Sequence, residues 1–280
     1  MALRLAMIGF GEAALAFAPE LDASLVQFDI KTGRPELDRV KCASSGEEAL
    51  AGAAAALSLV TADQALQAAT DAVAHLESGA FWFDMNSVAP DTKRAASRAI
   101  EAAGGRYVDV AVMAPVHPAR NGVPLLVSGS HAEEGAALLR AIGFTKVRVV
   151  EGAVGHASSI KMIRSVMVKG IEALTAECVL AADRAGVLDE VIASLDASPP
   201  PADWASRADY NLHRMLEHGL RRAAEMEEVV KTLDALGTGS AMTRGTVVRQ
   251  RELGALGATP PEGLTAKLAL LDPDRKAEAA

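Results

Sequence analysis

Two stretches of the chain hold residues whose types and spacing suit chemistry. The first is Gly9-Phe10-Gly11-Glu12-Ala13-Ala14, a G-x-G-x-x-A pattern near the N-terminus. Each small residue has its own reason. Gly9 permits a tight turn out of a strand, Gly11 lets the backbone approach a pyrophosphate, and Ala14 lets the following helix pack on the strand. Phe10, Glu12 and Ala13 share the turn, and the helix start offers unpaired N–H groups to phosphate oxygens. Asp29 stands 18 residues after Gly11, where its carboxylate can accept hydrogen bonds from both hydroxyls of an adenosine ribose. The bland alternative is a glycine turn that holds nothing. Asp29 would repel a 2′-phosphate, which favours NAD over NADP; Lys31 and Arg34, close behind, offset part of that repulsion.

The second stretch runs from Gly152 to Ser165 and contains Lys161-Met162-Ile163-Arg164-Ser165. On a helix, Arg164 and Ser165 lie at i+3 and i+4 from Lys161 and point the same way. A lysine and an arginine on a largely apolar helix are expensive to bury without a partner or a task. A lysine in a cleft between domains can serve as general acid or base. Its ammonium, ordinarily near ~10.4, must then lose its proton closer to neutrality. Partial burial, Arg164 and a positive nicotinamide all push that way. The alternative is a lysine paired with a carboxylate at the helix start.

Residues so far apart need a frame to bring them together. Short apolar runs at 4–8, 25–29, 55–61, 80–85, 106–110, 124–128 and 146–150 read as strands covered on both faces. Helical stretches at 12–21, 63–75, 90–103 and 132–141 lie between them. Pro90 suits a first helical turn, and Gly104-Gly105 ends that helix. This alternation predicts an α/β fold, an N-terminal Rossmann-like doubly wound sheet. After residue 150 the rhythm stops. A long helix over 156–185 carries Ile160, Ile163, Met167, Ile171, Leu174 and Cys178 in steps of three and four, and Met162, Val166 and Val168 widen that surface. The helix is therefore expected to be buried on several sides. A second helix is expected over 211–236, with Ser198-Pro199-Pro200-Pro201 as a loop before it. The reading is a dinucleotide-binding domain over 1–153, an all-helical substrate and dimerisation domain over 154–254 linked by the long helix, and a loosely held tail over 255–280.

Composition narrows the function classes. Half of the 280 residues are apolar, enough for a real core. The formal net charge of −8 argues against nucleic acid and anionic membrane surfaces as partners. Cys42 and Cys178 have neither disulfide-framework nor zinc-ligand spacing, so no metal site is expected, and a reducing cytoplasm fits. No apolar run reaches the roughly 18 residues needed to span a bilayer.

With both stretches in view, the chain resembles the β-hydroxyacid dehydrogenase superfamily, which includes the 3-hydroxyisobutyrate and 6-phosphogluconate dehydrogenases. More narrowly it resembles a poorly characterised branch with a distinct C-terminal domain. The motifs that carry the likeness are Gly9–Ala13, Asp84–Lys93 (D-x-N-S-x-x-P-x-T-K), Lys161–Ser165 (K-M-I-R-S) and Glu217–Arg222 (E-H-G-x-R-R). The likeness covers roughly residues 3–254. The resemblance implies that Lys161 is the general acid/base, with Arg164 and Ser165 beside it. It implies that Asn86 and Ser87 form a polar turn next to the nicotinamide, and that Val60 and Thr61 run along the cofactor. The bland readings are a helix cap ahead of Pro90 and an ordinary strand end. Cofactor NAD or NADP, a small-molecule substrate and a homodimer are also implied.

The chain departs from the family at the substrate loop. The usual D-A-P-V-S-G-G reads here Asp109-Val110-Ala111-Val112-Met113-Ala114-Pro115, so the serine and glycines that hold a carboxylate are Met113, Ala114 and Pro115. Ser165 stands where the family has an asparagine. A bulkier or more apolar substrate is expected. His218, Arg221, Arg222 and Glu225 share a helix face. They are either a solvated face with Glu225 paired to Arg222 or an anion-binding wall in which His218 and Arg222 meet substrate. The expected function is an NAD(P)-dependent oxidoreductase moving a hydride between nicotinamide and a secondary alcohol or carbonyl carbon. The alternatives are an imine or ketone reductase acting on a substrate without a carboxylate, and a dinucleotide-binding protein without turnover.

Overall fold

The structure, a computed structural model, describes residues 3–33, 35, 37–197, 203–237 and 239–272. Arg34 and the 198–201 loop fall outside them. The strands are β1 (Arg4–Ile8), β2 (Ser24–Phe28), β3 (Val40–Cys42), β4 (Ala55–Ser58), β5 (Phe81–Asp84), β6 (Arg106–Val112), β7 (Leu125–Ser128) and β8 (Val147–Val149). They form one sheet in the order β3-β2-β1-β4-β5-β6-β7-β8, parallel throughout except for the antiparallel β6–β7 pair. The helices are α1 (Glu12–Phe17), α2 (Gly46–Leu50), α3 (Ala65–Ala72), α4 (Pro90–Ala102), α5 (Ala132–Ala141), α6 (His156–Arg184), α7 (Leu188–Asp196), α8 (Trp204–Ala235), α9 (Ala241–Ala255) and α10 (Leu264–Leu271).

Strand side chains alternate between two cores, as the pleat requires. Leu5, Met7, Phe81 and Phe83 enter one, and Ala6, Ile8, Trp82 and Tyr107 the other. The chain crosses from β3 to β4 on the other side of β1, so the switch in strand order lies between β1 and β4. Ligands of doubly wound sheets bind outside the strand C-termini at such a switch.

Several elements differ from the sequence reading. β3 and α2 are short additions; only Val40 of β3 is buried, and Ser45 caps α2 by accepting from the Glu48 N–H. Short 3₁₀ turns, Ala18–Glu20 and Ala62–Gln64, stand where continuous helix was expected. α8 starts at Trp204 rather than 211, because Asp203 accepts from the Ser206 N–H at 2.9 Å and caps it there. The 264–271 part of the expected loose tail is helical. Leu264, Leu268 and Leu271 pack with Ala208, Leu212 and Met215 of α8, and Lys267 pairs with Asp209 at 2.6 Å.

The largest correction concerns α6. Its expected core stripe is exposed: Ile163, Met167, Ile171, Leu174 and Cys178 all face outward, with Met167 64% accessible. The buried face carries Ser165, Lys169, Glu172, Thr175 and Ala176 instead. Buried charges are tolerable there because Lys169 pairs with Glu225 at 2.6 Å and Glu172 with Arg222. α9 reaches α8 through a close approach of backbones. A Cβ on Gly219 would lie 2.3 Å from the Gln250 carbonyl oxygen, so only glycine fits there. The chain forms two compact units, Met1–Ile163 and Arg164–Ala280, with the break inside α6 rather than at 153/154. Among the described residues no helix is long and apolar enough to cross a membrane.

Candidate functional site

The glycine turn joins β1 to α1 at the strand-order switch. Gly9 has φ +89°, and a Cβ there would sit 2.7 Å from the Leu59 carbonyl oxygen, so no other residue fits. Around Gly11, the N-cap of α1, the space a Cβ would occupy is open. Ala14 is wholly buried against the sheet. Asp29 follows β2, and its carboxylate accepts the Phe10 N–H at 2.8 Å and the Lys31 N–H at 2.7 Å. The acidic group is thereby fastened to the glycine turn itself. Thr61 and Val60 follow β4. The carboxyl of Asp63 is held below its ordinary range by hydrogen bonds from Gln64 and then Thr61, with Lys31 adding a smaller electrostatic pull.

Across the switch, the turn after β5 carries Asn86 and Ser87. The Lys161 Nζ donates to the Ser87 Oγ at 2.5 Å, joining two residues 74 positions apart. Asn86 is buried, and its Nδ2 donates to the Asp84 carboxylate at 2.8 Å and to the Ser58 Oγ at 2.9 Å. A carboxylate only accepts, so this fixes which way the amide points. The helix-cap alternative for this turn is not met, since α4 is capped at Ala89 with no side-chain bond.

Beneath the turn lies a buried charge cluster. The Lys93 Nζ donates to the Asp84 backbone carbonyl at 2.5 Å and to its carboxylate at 3.0 Å, and is ion-paired with Asp109 at 3.5 Å. The Tyr107 hydroxyl donates to Asp84 at 2.6 Å. Burial, and next the charges of Asp84 and Asp109, push the Tyr107 phenol well above its usual value of 10.0. The Asp109 Oδ2 accepts from the Ser128 and Ser158 hydroxyls and from the backbone N–H groups of Gly155 and Ser158.

The remaining sequence candidates are scattered. Met113 follows β6 and packs with Ile160 on the small cluster of Ala111, Leu126, Val150 and Ala157. Its N–H is engaged by the Pro124 carbonyl at 2.9 Å, and Ala114 and Pro115 are exposed. Arg164 is exposed and Ser165 buried, both in the second compact unit. So are His218, which lies 3.5 Å from Glu217, and Arg222. Arg222 does not pair with Glu225, as one reading expected. Its guanidinium donates to both oxygens of Glu172, and Glu225 takes Lys169. As an anion-binding wall Arg222 is thus already neutralised.

Residues 18–151 match the family described as the NAD binding domain of 6-phosphogluconate dehydrogenase, and residues 182–253 match a domain of unknown function, DUF1932. A conserved hypothetical protein of Sinorhizobium meliloti is 36% identical, with 97% of this chain and 96% of that one covered and a TM-score of 0.74. The chain belongs to the 6-phosphogluconate dehydrogenase-like family that carries a DUF1932 C-terminal domain. A second relative, 30% identical over 91% of this chain and 100% of its own with a TM-score of 0.67, is a conserved protein of unknown function whose structure is similar to 3-hydroxyacid dehydrogenases. The fold is also that of Mycobacterium tuberculosis 3-hydroxyisobutyrate dehydrogenase, solved with L-serine, at 15% identity, 97% and 99% coverage and a TM-score of 0.73. The matched NAD-binding domain supports a nicotinamide dinucleotide as the cofactor, and the fold is shared with 3-hydroxyisobutyrate dehydrogenases.

The residues present fit that cofactor. The open space over Gly11 suits a pyrophosphate, and the buried Asn86 Oδ1 has no hydrogen-bond partner although both Nδ2 bonds are made. An orphaned acceptor at that turn suits a carboxamide N–H or a ribose hydroxyl. The family match begins at residue 18, so the glycine turn is identified by its own geometry. Sequence reasoning missed the cluster of Asp84, Lys93, Tyr107 and Asp109. A signal existed: Pro90, Lys93, Ser97 and Ile100 recur at helical spacing, so Lys93 occupies a core position of α4.

Proposed function

We propose that this protein transfers a hydride between a nicotinamide dinucleotide and a secondary alcohol or carbonyl carbon, with Lys161 as general acid/base. The observation that carries the reading is the Lys161–Ser87 hydrogen bond, beside Asn86, at the strand ends where the glycine turn also lies. The dinucleotide supplies the hydride acceptor or donor. Gly9, Phe10, Gly11, Glu12 and Ala13 form its phosphate turn, Asp29 faces its ribose, and Val60, Thr61 and Asn86 line its path. Lys161 takes the hydroxyl proton in oxidation and returns it in reduction, while the Ser87 hydroxyl accepts from the ammonium and holds it at the turn. Asp29 favours NAD over NADP by charge. Tighter binding of NADPH than NADH in paired fluorescence titrations would reverse that preference.

The substrate loop favours a neutral carbonyl or an imine as the variant reading. A carboxylate there meets no serine hydroxyl, the Met113 N–H is taken, and Pro115 has none. The test is NADH oxidation at 340 nm over a panel of keto acids, neutral ketones and cyclic imines. K161A should lower kcat at least ~10²-fold while leaving NADH affinity within about twofold. Unchanged turnover in K161A removes the lysine from the mechanism. NADH binding with no oxidation on any substrate points instead to a non-catalytic dinucleotide-binding protein.

A further inference from the structure

We propose that Asp109 is a positioning residue for Lys161, acting through the first turn of α6. The inference rests on the acid/base role given to Lys161 above. The first N–H groups of a helix have no partner within it. α6 has no acidic residue in its own first turn. Asp109, on β6 and wholly buried, supplies the missing acceptor: its Oδ2 takes the Gly155 N–H at 3.0 Å and the Ser158 N–H at 3.2 Å. Ser128 extends the cap, its Oγ donating to Asp109 at 3.1 Å and accepting the Ala157 N–H at 3.0 Å. Lys161 lies three and four residues beyond Ser158 and Ala157, on the same helix face. Fixing the first turn therefore fixes the root of the lysine side chain.

The other end of the lysine is fixed by the same carboxylate. Asp109 is ion-paired with Lys93, Lys93 bonds Asp84, and Asp84 accepts both the Asn86 N–H at 3.0 Å and its Nδ2. The next residue, Ser87, accepts from Lys161. The contacts close into a ring: Asp109, the start of α6, Lys161, Ser87, Asn86, Asp84, Lys93 and back to Asp109. A residue that served stability alone would not need to be joined to the ammonium from both directions.

The experiment measures Lys161 directly. D109N keeps the size of the side chain but removes its charge and one acceptor. In D109N, hydrogen exchange at residues 155–158 should accelerate about tenfold or more, and acetic anhydride labelling of Lys161, read by peptide mass spectrometry, about threefold or more. S128A should move both readouts in the same direction by less. L25A, a core truncation on β2, which pairs only with β1 and β3, should lower Tm without changing Lys161 labelling. Unchanged exchange and labelling in D109N, or an equal labelling change in L25A, overturns the proposal. If D109N does not fold, S128A decides, and unchanged labelling there overturns it. Neither readout needs turnover, so this result stands apart from the K161A assay.

Discussion

At the strand ends of the first unit, Lys93, Asp84 and Asp109 bury one ammonium and two carboxylates. Among the helices of the second, Lys169 meets Glu225, and Arg222 meets Glu172 with Gln250 alongside, so two cations face two anions. The second set is balanced by side chains alone and leaves the Arg222 Nε and the Gln250 Oε1 without hydrogen-bond partners. The first set carries an excess carboxylate, and backbone N–H groups of the Asn86 turn and the α6 start absorb it. It leaves the Asp109 Oδ1 with the Lys93 ion pair alone and the Asn86 Oδ1 without a hydrogen-bond partner at the turn after β5. Buried ion pairs are thus not one kind of feature. A balanced pair among helices can be exchanged for apolar packing, whereas an unbalanced one is wired into the backbone that builds the site.

The sharpest way to break this contrast is to remove one partner from each set. K93M leaves two buried carboxylates facing each other and should lower stability by about 3–5 kcal/mol in urea unfolding. A loss below about 1 kcal/mol would show that the cluster is not held by charge. Next, E172M and R222M should each be damaging singly, while the double variant should return to within about 1–2 kcal/mol of the parent. D84N combined with K93M should show no such recovery, because an asparagine has one acceptor oxygen where Asp84 uses two, one for the Asn86 turn and one for the Tyr107 hydroxyl. Third, Y107F should lower stability by about 1–3 kcal/mol at neutral pH by leaving a buried acceptor of Asp84 without its donor. The Tyr107 phenol titrates higher in the folded than in the unfolded chain. Its contribution is therefore present below about pH 10 and lost as pH rises beyond, so the parent should show a steeper alkaline fall in Tm than Y107F. The smallest effect belongs to Glu48, held near a pKa of about 2, chiefly by the Lys41 hydrogen bond and then the Ser44 backbone. That contribution is present above its ordinary value of 4.5 and fades as pH falls toward 2, but solvent screens the pair, with Lys41 exposed and Glu48 half-buried. E48Q should melt close to the parent at pH 7.

Much of this architecture was legible because apolar runs and small-residue turns report local geometry. β1 and α5 fall where the apolar pattern puts them, and the glycine turn with Asp29 is recognisable from spacing alone. The buried face of α6 was not legible, because it was judged by hydrophobicity. Ser165, Lys169 and Glu172 are buried through partners on other helices, and periodicity cannot register a partner. α9 escaped for a related reason: its buried positions include Thr243, Thr246 and Gln250, and its packing depends on Gly219 and Gly254 approaching each other. Lys161 was legible through a motif, but its bond to Ser87 is a tertiary fact with no local signature.

The closed ring through Asp84, Lys93 and Asp109 also limits how this sequence can drift or be redesigned. Grafting the turn from Asp84 to Ser87 into another scaffold would transplant an anion without its counterion unless the α4 lysine travels with it. The three positions are separated by 9 and 16 residues along the chain, yet they should be retained together, because even joint replacement strands the backbone N–H groups that Asp84 and Asp109 accept from.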